Sequence, residues 1–165
     1  MVRNLVVVYL SNLVGALIVD AFLYLSGQLD YTGGALGAYT IKVALAKSTM
    51  SFDKAFVSGI MCNILVCAAI LTAAAAKDIA GKLLAIFFPI WAFVVAGYEQ
   101  CVANMYYIPA GIMAMKEYGI SADGLSWLTF FVRNELPVTL GNIVGGTFIG
   151  TMYWAIYLRQ GKKEK

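Results

Sequence analysis

Histidine is absent from the 165-residue chain, and charge is sparse, with Asp, Glu, Lys and Arg making up 13% of it. The lack of imidazole removes the commonest general base, metal ligand and near-neutral titrating group together. Cysteine is scarce as well. Cys62, Cys67 and Cys101 lie in apolar stretches, none in a C-x-x-C or Cys/His spacing, and an odd number closes no complete disulfide framework. They read as small core residues. No nucleophile stands beside a base and no ligand set has usable spacing, so the residues point to no enzyme, no metal and no cofactor. Basic residues outnumber acidic ones 12 to 9, an excess that Lys162, Lys163 and Lys165 at the tail account for. That balance is no footprint for nucleic acid.

Apolar side chains are what the chain has in quantity, at 61%. With about half the usual share of charge, such a chain cannot cover a water-facing surface. It reads as an all-α membrane protein of one domain whose solvent is the lipid bilayer.

A spanning helix needs roughly 20 apolar residues. Residues 4–26 meet this with one acid, Asp20, inside the run, and no basic stretch with a small-residue cleavage site marks them as a removable signal. Residues 27–53 are richer in Gly, Thr, Ser, Asp and Lys, contain the Gly33-Gly34 pair and read as a connecting segment. A second crossing is expected over 55–76. A continuous helix over 83–115 would be about 50 Å long, too long for a hydrocarbon core of about 30 Å. Its apolar pieces flank Glu99-Gln100-Cys101-Val102-Ala103-Asn104, so a broken crossing is expected there, with non-helical polypeptide at mid-depth lining a path. The last crossing is expected over 134–158, followed by a basic tail at 159–165. Arg3, Lys77, Lys82, Arg159, Lys162, Lys163 and Lys165 then share one side, against Lys42, Lys47, Lys54, Lys116 and Arg133 on the other. The larger basic group favours a multi-pass protein of the inner (plasma) membrane with cytoplasmic termini and tail.

The first helix contains Ser11-Asn12-Leu13-Val14-Gly15-Ala16 and the last Gly141-Asn142-Ile143-Val144-Gly145-Gly146, a shared small-Asn-apolar-Val-Gly-small string. One reading is two separate packing faces, with Asn12, Gly15, Gly141, Asn142 and Gly145 serving helix contact. The other is a pair of inverted repeats whose first member lacks two helices, one of them broken.

Among the polar residues, Glu99 either accepts bonds from the loose N–H groups of the break or takes part in a proton or ion path. Gln100 and Asn104 either cap the half-helices or offer amide donors to a small anion. Lys47, just before a crossing, is by itself an ordinary interfacial lysine.

The strings Gly97-Tyr98-Glu99-Gln100-Cys101-Val102-Ala103-Asn104-Met105, Ala46-Lys47, Cys62-Asn63-Ile64-Leu65-Val66-Cys67 and Pro137-Val138-Thr139-Leu140-Gly141-Asn142 resemble the formate/nitrite transporter family over nearly the whole chain. The resemblance implies an aquaporin-like fold, here with four crossings of an expected six, and a homopentamer if the chain is complete. It implies formate, nitrite or hydrosulfide as the small anion substrate. It also places Lys47 at the outer mouth, Asn63 on the pore side, and Val66 and Phe93 in apolar constrictions. Gln100 stands where the family pattern has His, and a glutamine takes up no proton near neutral pH. The function expected is channel-like, proton-linked transport of small weak acids, formate foremost. The alternative is a truncated, non-transporting membrane remnant or structural subunit.

Overall fold

The computed structural model describes residues 2–158, and among them the chain is helical, with no strand. The basic tail expected to be cytoplasmic, 159–165, lies outside the described residues. In chain order the elements are α1 (Val2–Leu25), a 3-10 turn (Gln28–Asp30), α2 (Ala35–Ser48), α3 (Phe52–Ala75), α4 (Ile79–Val95), α5 (Cys101–Glu117) and the single turn α6 (Trp127–Thr129). A π-helical stretch, Phe130–Glu135, then leads into α7 (Leu136–Tyr153), and a second π stretch, Trp154–Leu158, follows it. Two helices, Val2–Leu25 and Phe52–Ala75, are long and apolar enough to cross a membrane, and Ile79–Val95 is a shorter apolar helix.

The chain divides into two compact units, one of residues 2–52 with 101–137 and one of residues 53–100 with 138–158. In the first, Ile41 and Ala44 of α2 pack with Met105, Ile108, Ile112 and Ala114 of α5, alongside Leu29, Leu125 and Phe130. Tyr9, Leu13, Ala16 and Leu23 of α1 lie against this core at helical three-and-four spacing. Gly111 is what lets α5 approach α2, since a Cβ there would sit 2.2 Å from the Ala44 Cβ.

The reading of 27–53 as a plain connector is corrected by α2. Gly37, Ile41, Ala44 and Ser48 recur at three- and four-residue spacing and are buried along one face, which makes a helix of a stretch whose polar content resembled a loop. Gly34 enters α2 at φ +83°, a left-handed conformation that a side chain would resist.

In the second unit α7 packs on α3 through glycines. A Cβ on Gly141 would lie 2.2 Å from the Phe56 carbonyl oxygen, and one on Gly145 would lie 2.3 Å from that of Ile60. The two backbones are therefore in direct contact, the close approach that small-residue spacing permits. The Asp78 side chain caps α4 by accepting the Gly81 N–H at 2.8 Å.

The helix break is present, but at 96–100; the reading that all of Glu99–Asn104 is non-helical is corrected, because Cys101–Asn104 form the first turn of α5. The cause is Gly97, at φ +69°. Its N–H donates to the Val94 carbonyl at 3.1 Å and the Tyr98 N–H to the Phe93 carbonyl at 3.0 Å, the paired bonds of a Schellman ending. The chain stops being helical where a left-handed residue is cheapest, and resumes once the polar segment has turned.

Candidate functional site

Two clusters of amide side chains, one in each unit, hold Lys47, Asn63, Glu99 and Asn104 of the polar residues singled out in the sequence. In the second unit the centre is Asn142, on the α7 face that carries Gly141 and Gly145. Its Nδ2 donates to the Gly59 carbonyl at 2.8 Å and to the Glu99 carbonyl at 3.1 Å. Its own backbone carbonyl accepts from Asn63 Nδ2 at 2.7 Å. The Glu99 N–H donates to Ser58 Oγ at 3.0 Å. Both polar groups of the Glu99 peptide, in the broken segment, are thus met by side chains of α3 and α7. Water is not needed to satisfy them, which is what a break in an apolar bundle requires. Glu99 itself is 2% exposed. Val66 on α3, Phe93 on α4 and Gln100 at the end of the break are half-buried.

In the first unit the centre is Asn134, in the π-helical stretch. Its Oδ1 accepts from Asn104 Nδ2 at 2.7 Å, and its Nδ2 donates to the backbone carbonyl of Lys47 at 3.1 Å. Asn104 and Asn134 are fully buried. The Lys47 ammonium lies 5.4 Å from the centroid of the Tyr107 ring, within cation–π range. The next residue, Glu135, is also buried, and its carboxylate accepts the Tyr9 hydroxyl at 2.8 Å.

The structure therefore links Lys47 with Asn104 through Asn134, and Asn63 with Glu99 through Asn142. Asn142, read in the sequence as a packing residue, is also the polar hub of its unit. Asn12 and Gly15 of α1, the counterparts of Asn142 and Gly145 in the repeated string, are not engaged in the same way among the described residues. Asn12 is half-buried and its side chain makes no hydrogen bond there, while a Cβ on Gly15 would meet nothing within 4 Å.

Sequence reasoning passed over Ser58, Asn134 and Glu135. The last two were visible as adjacent polar residues at the head of the final apolar run, the kind of pair that needs partners in lipid. Among the described residues no group of three His, Cys, Asp or Glu side chains stands together for a metal.

A helix break whose peptide groups are tied by a hydroxyl and an amide side chain of apolar helices is an arrangement that membrane channels and transporters use. Comparison with known proteins narrows the class. The family model for the formate/nitrite transporters matches residues 1–155. The chain is 39% identical to a probable formate transporter of Methanothermobacter thermautotrophicus over 97% of its own length and 61% of that protein's. It is 40% identical to the formate channel FocA of Haemophilus influenzae over 88% of its length and 55% of that protein's. A solved pentameric formate channel with formate bound superposes with a TM-score of 0.86 at 37% identity, covering 95% of this chain and 66% of that one. The chain belongs to the formate/nitrite transporter family, and its relatives here are channels and transporters rather than enzymes. It spans somewhat more than half the length of the curated relatives it matches.

Proposed function

We propose that the protein carries small monovalent anions across a membrane, formate foremost and nitrite or hydrosulfide as alternatives, by a channel-like and proton-linked route through each protomer. The observation that carries this reading is the Glu99 peptide, buried in a helix break and tied on both sides by Ser58 and Asn142. A break costs backbone hydrogen bonds, and polypeptide at membrane depth keeps one only where it lines a route or is buried in protein.

Moving a bare anion past apolar side chains such as Val66 and Phe93 carries a large desolvation penalty, and the protonated acid passes at far lower cost. Lys47 concentrates the anion at the outer mouth. An acid entering the drier interior finds its neutral form favoured. Gln100 orients the acid by hydrogen bonding and the proton arrives through water, since an amide takes up none. The setting is the plasma membrane with cytoplasmic termini, and the assembly a homopentamer, a reading supported by the solved formate channel the chain resembles, which is pentameric.

The test is uptake of labelled formate into vesicles loaded with the purified chain, measured against external pH. Uptake that rises as the medium is acidified, and that weakens in Lys47→Ala, supports the reading. Uptake no greater than in empty vesicles favours the structural-subunit alternative.

A further inference from the structure

We infer that Asn134, backed by Asn104, is a positioning residue for Lys47: the two buried amides pin the last turn of α2 so that the lysine ammonium stays over the Tyr107 ring. The inference deepens the proposed function, on which it rests in taking Lys47 as the anion-attracting lysine.

A helix end leaves its last carbonyls without intrahelical donors. Lys47 is in the last turn of α2, and its carbonyl receives a long 3.5 Å bond from the Met50 N–H along the chain. A shorter bond comes from far along the chain, from Asn134 Nδ2 at 3.1 Å. Asn134 is in turn held by Asn104 Nδ2 at 2.7 Å, from the first turn of α5. Tyr107, over which the Lys47 ammonium sits, is three residues further along α5. The backbone of Lys47 and the aromatic ring under its charge are therefore referenced to one helix. The π-helical turn supplies the geometry: it brings Asn134 and Glu135, adjacent in sequence, both into the interior.

A buried side-chain bridge of this kind holds a flexible residue in place. A lysine has several rotatable bonds, and anchoring its backbone removes the helix-end motion that would carry the ammonium off the ring. The amide of Asn104 is accordingly engaged with Asn134 in this structure, and its part at the mouth is indirect.

The experiment compares acylation of individual lysines by N-hydroxysuccinimidyl acetate, read by mass spectrometry on the full chain in detergent. Lys42 and Lys54, both exposed, are the internal controls. In Asn134→Leu, Lys47 is expected to react about fivefold faster than in the parent, the size of one net hydrogen bond, with Lys42 and Lys54 unchanged. Asn134→Asp keeps the oxygen that accepts from Asn104 and loses the donor to Lys47; it is expected to give the same selective rise if Asn134→Leu does not fold. Equal Lys47 rates in parent and variants, a rise shared by all three lysines, or failure of both variants to elute as folded protein assigns the asparagines to folding alone and overturns the inference. The readout does not depend on transport. Unchanged formate uptake in Lys47→Ala would remove the mouth-lysine role while leaving the positioning result standing.

Discussion

Asn142 Nδ2 lies 3.1 Å from the carbonyl oxygen of Glu99, so a side chain of α7 closes a hydrogen bond that the broken helix leaves open. The same amide reaches the Gly59 carbonyl of α3 at 2.8 Å. One residue thereby ties three pieces of the second unit together without a charge. Asn142→Leu, close in volume and without donors, leaves the Glu99 carbonyl buried without this partner. Loss of about 2 kcal/mol is expected, the cost of orphaning a buried polar group, measured as a lower midpoint of thermal unfolding in detergent. Asn63 should keep its bond to the Asn142 backbone, which the substitution does not touch. An unchanged midpoint would show that the bridge contributes nothing to the unit.

The long apolar runs of α1 and α3 were legible in the sequence because length and hydropathy alone specify such helices. The existence of the break was legible too, since a continuous 83–115 helix exceeds the bilayer. Its position was not, because polarity pointed to Glu99–Asn104 whereas backbone geometry places the stop at Gly97, a residue whose φ of +69° no hydropathy pattern records. Helix α2 was missed for the reverse reason. Its polar residues, exposed Lys42 and half-buried Thr40 and Lys47, are interspersed with the buried stripe of Gly37, Ile41, Ala44 and Ser48, and averaging over the segment hid that stripe. Lys47, Glu99 and Asn104 stand out in the sequence, but their partners Ser58 and Asn134 lie far away along the chain, where only the fold joins them.

Gly145 carries a sharper test of helix contact than its motif does. Because the obstacle to a Cβ there is the Ile60 carbonyl oxygen at 2.3 Å, a backbone atom that cannot swing aside, Gly145→Ala must push α7 from α3. A loss of about 1–3 kcal/mol is expected, as for other overpacked contacts. Gly15→Ala, with nothing within 4 Å, should be neutral or gain up to about 1 kcal/mol from helix propensity. Equal effects of the two variants on the unfolding midpoint would contradict the close α3–α7 contact.

Tyr118 follows α5 and donates its hydroxyl to Asp30 at 2.9 Å. Partial burial of the phenol, then the bond to Asp30 and the negative charges of Asp30 and Glu117, push its pKa above the ordinary tyrosine value of about 10. The sign follows: the neutral phenol is the form the fold favours, so the contact is fully present below the ordinary value and is lost as pH rises through the raised one. In a tyrosinate absorbance titration, Tyr118→Phe should remove a step from the upper end of the curve. Removal of a step at or below the ordinary value would contradict the contact.

Asp20 is the buried acid whose presence the packing of α1 does not explain. It continues the stripe of Tyr9, Leu13, Ala16 and Leu23 that faces the core, it is 1% exposed, and neither carboxyl oxygen has a hydrogen-bond partner among the described residues. A polar group so placed costs stability, because the water it gives up is not replaced. Asp20→Leu should raise stability by about 1–3 kcal/mol, the desolvation cost removed, and Asp20→Asn should help less because its amide still needs partners. The measurement is thermal unfolding of the three proteins side by side in the same detergent. A lower midpoint in both variants would mean that the carboxyl is engaged by a group beyond the described residues. The acid would then belong with Glu99 and Glu135, whose buried peptide or side chain has a visible partner.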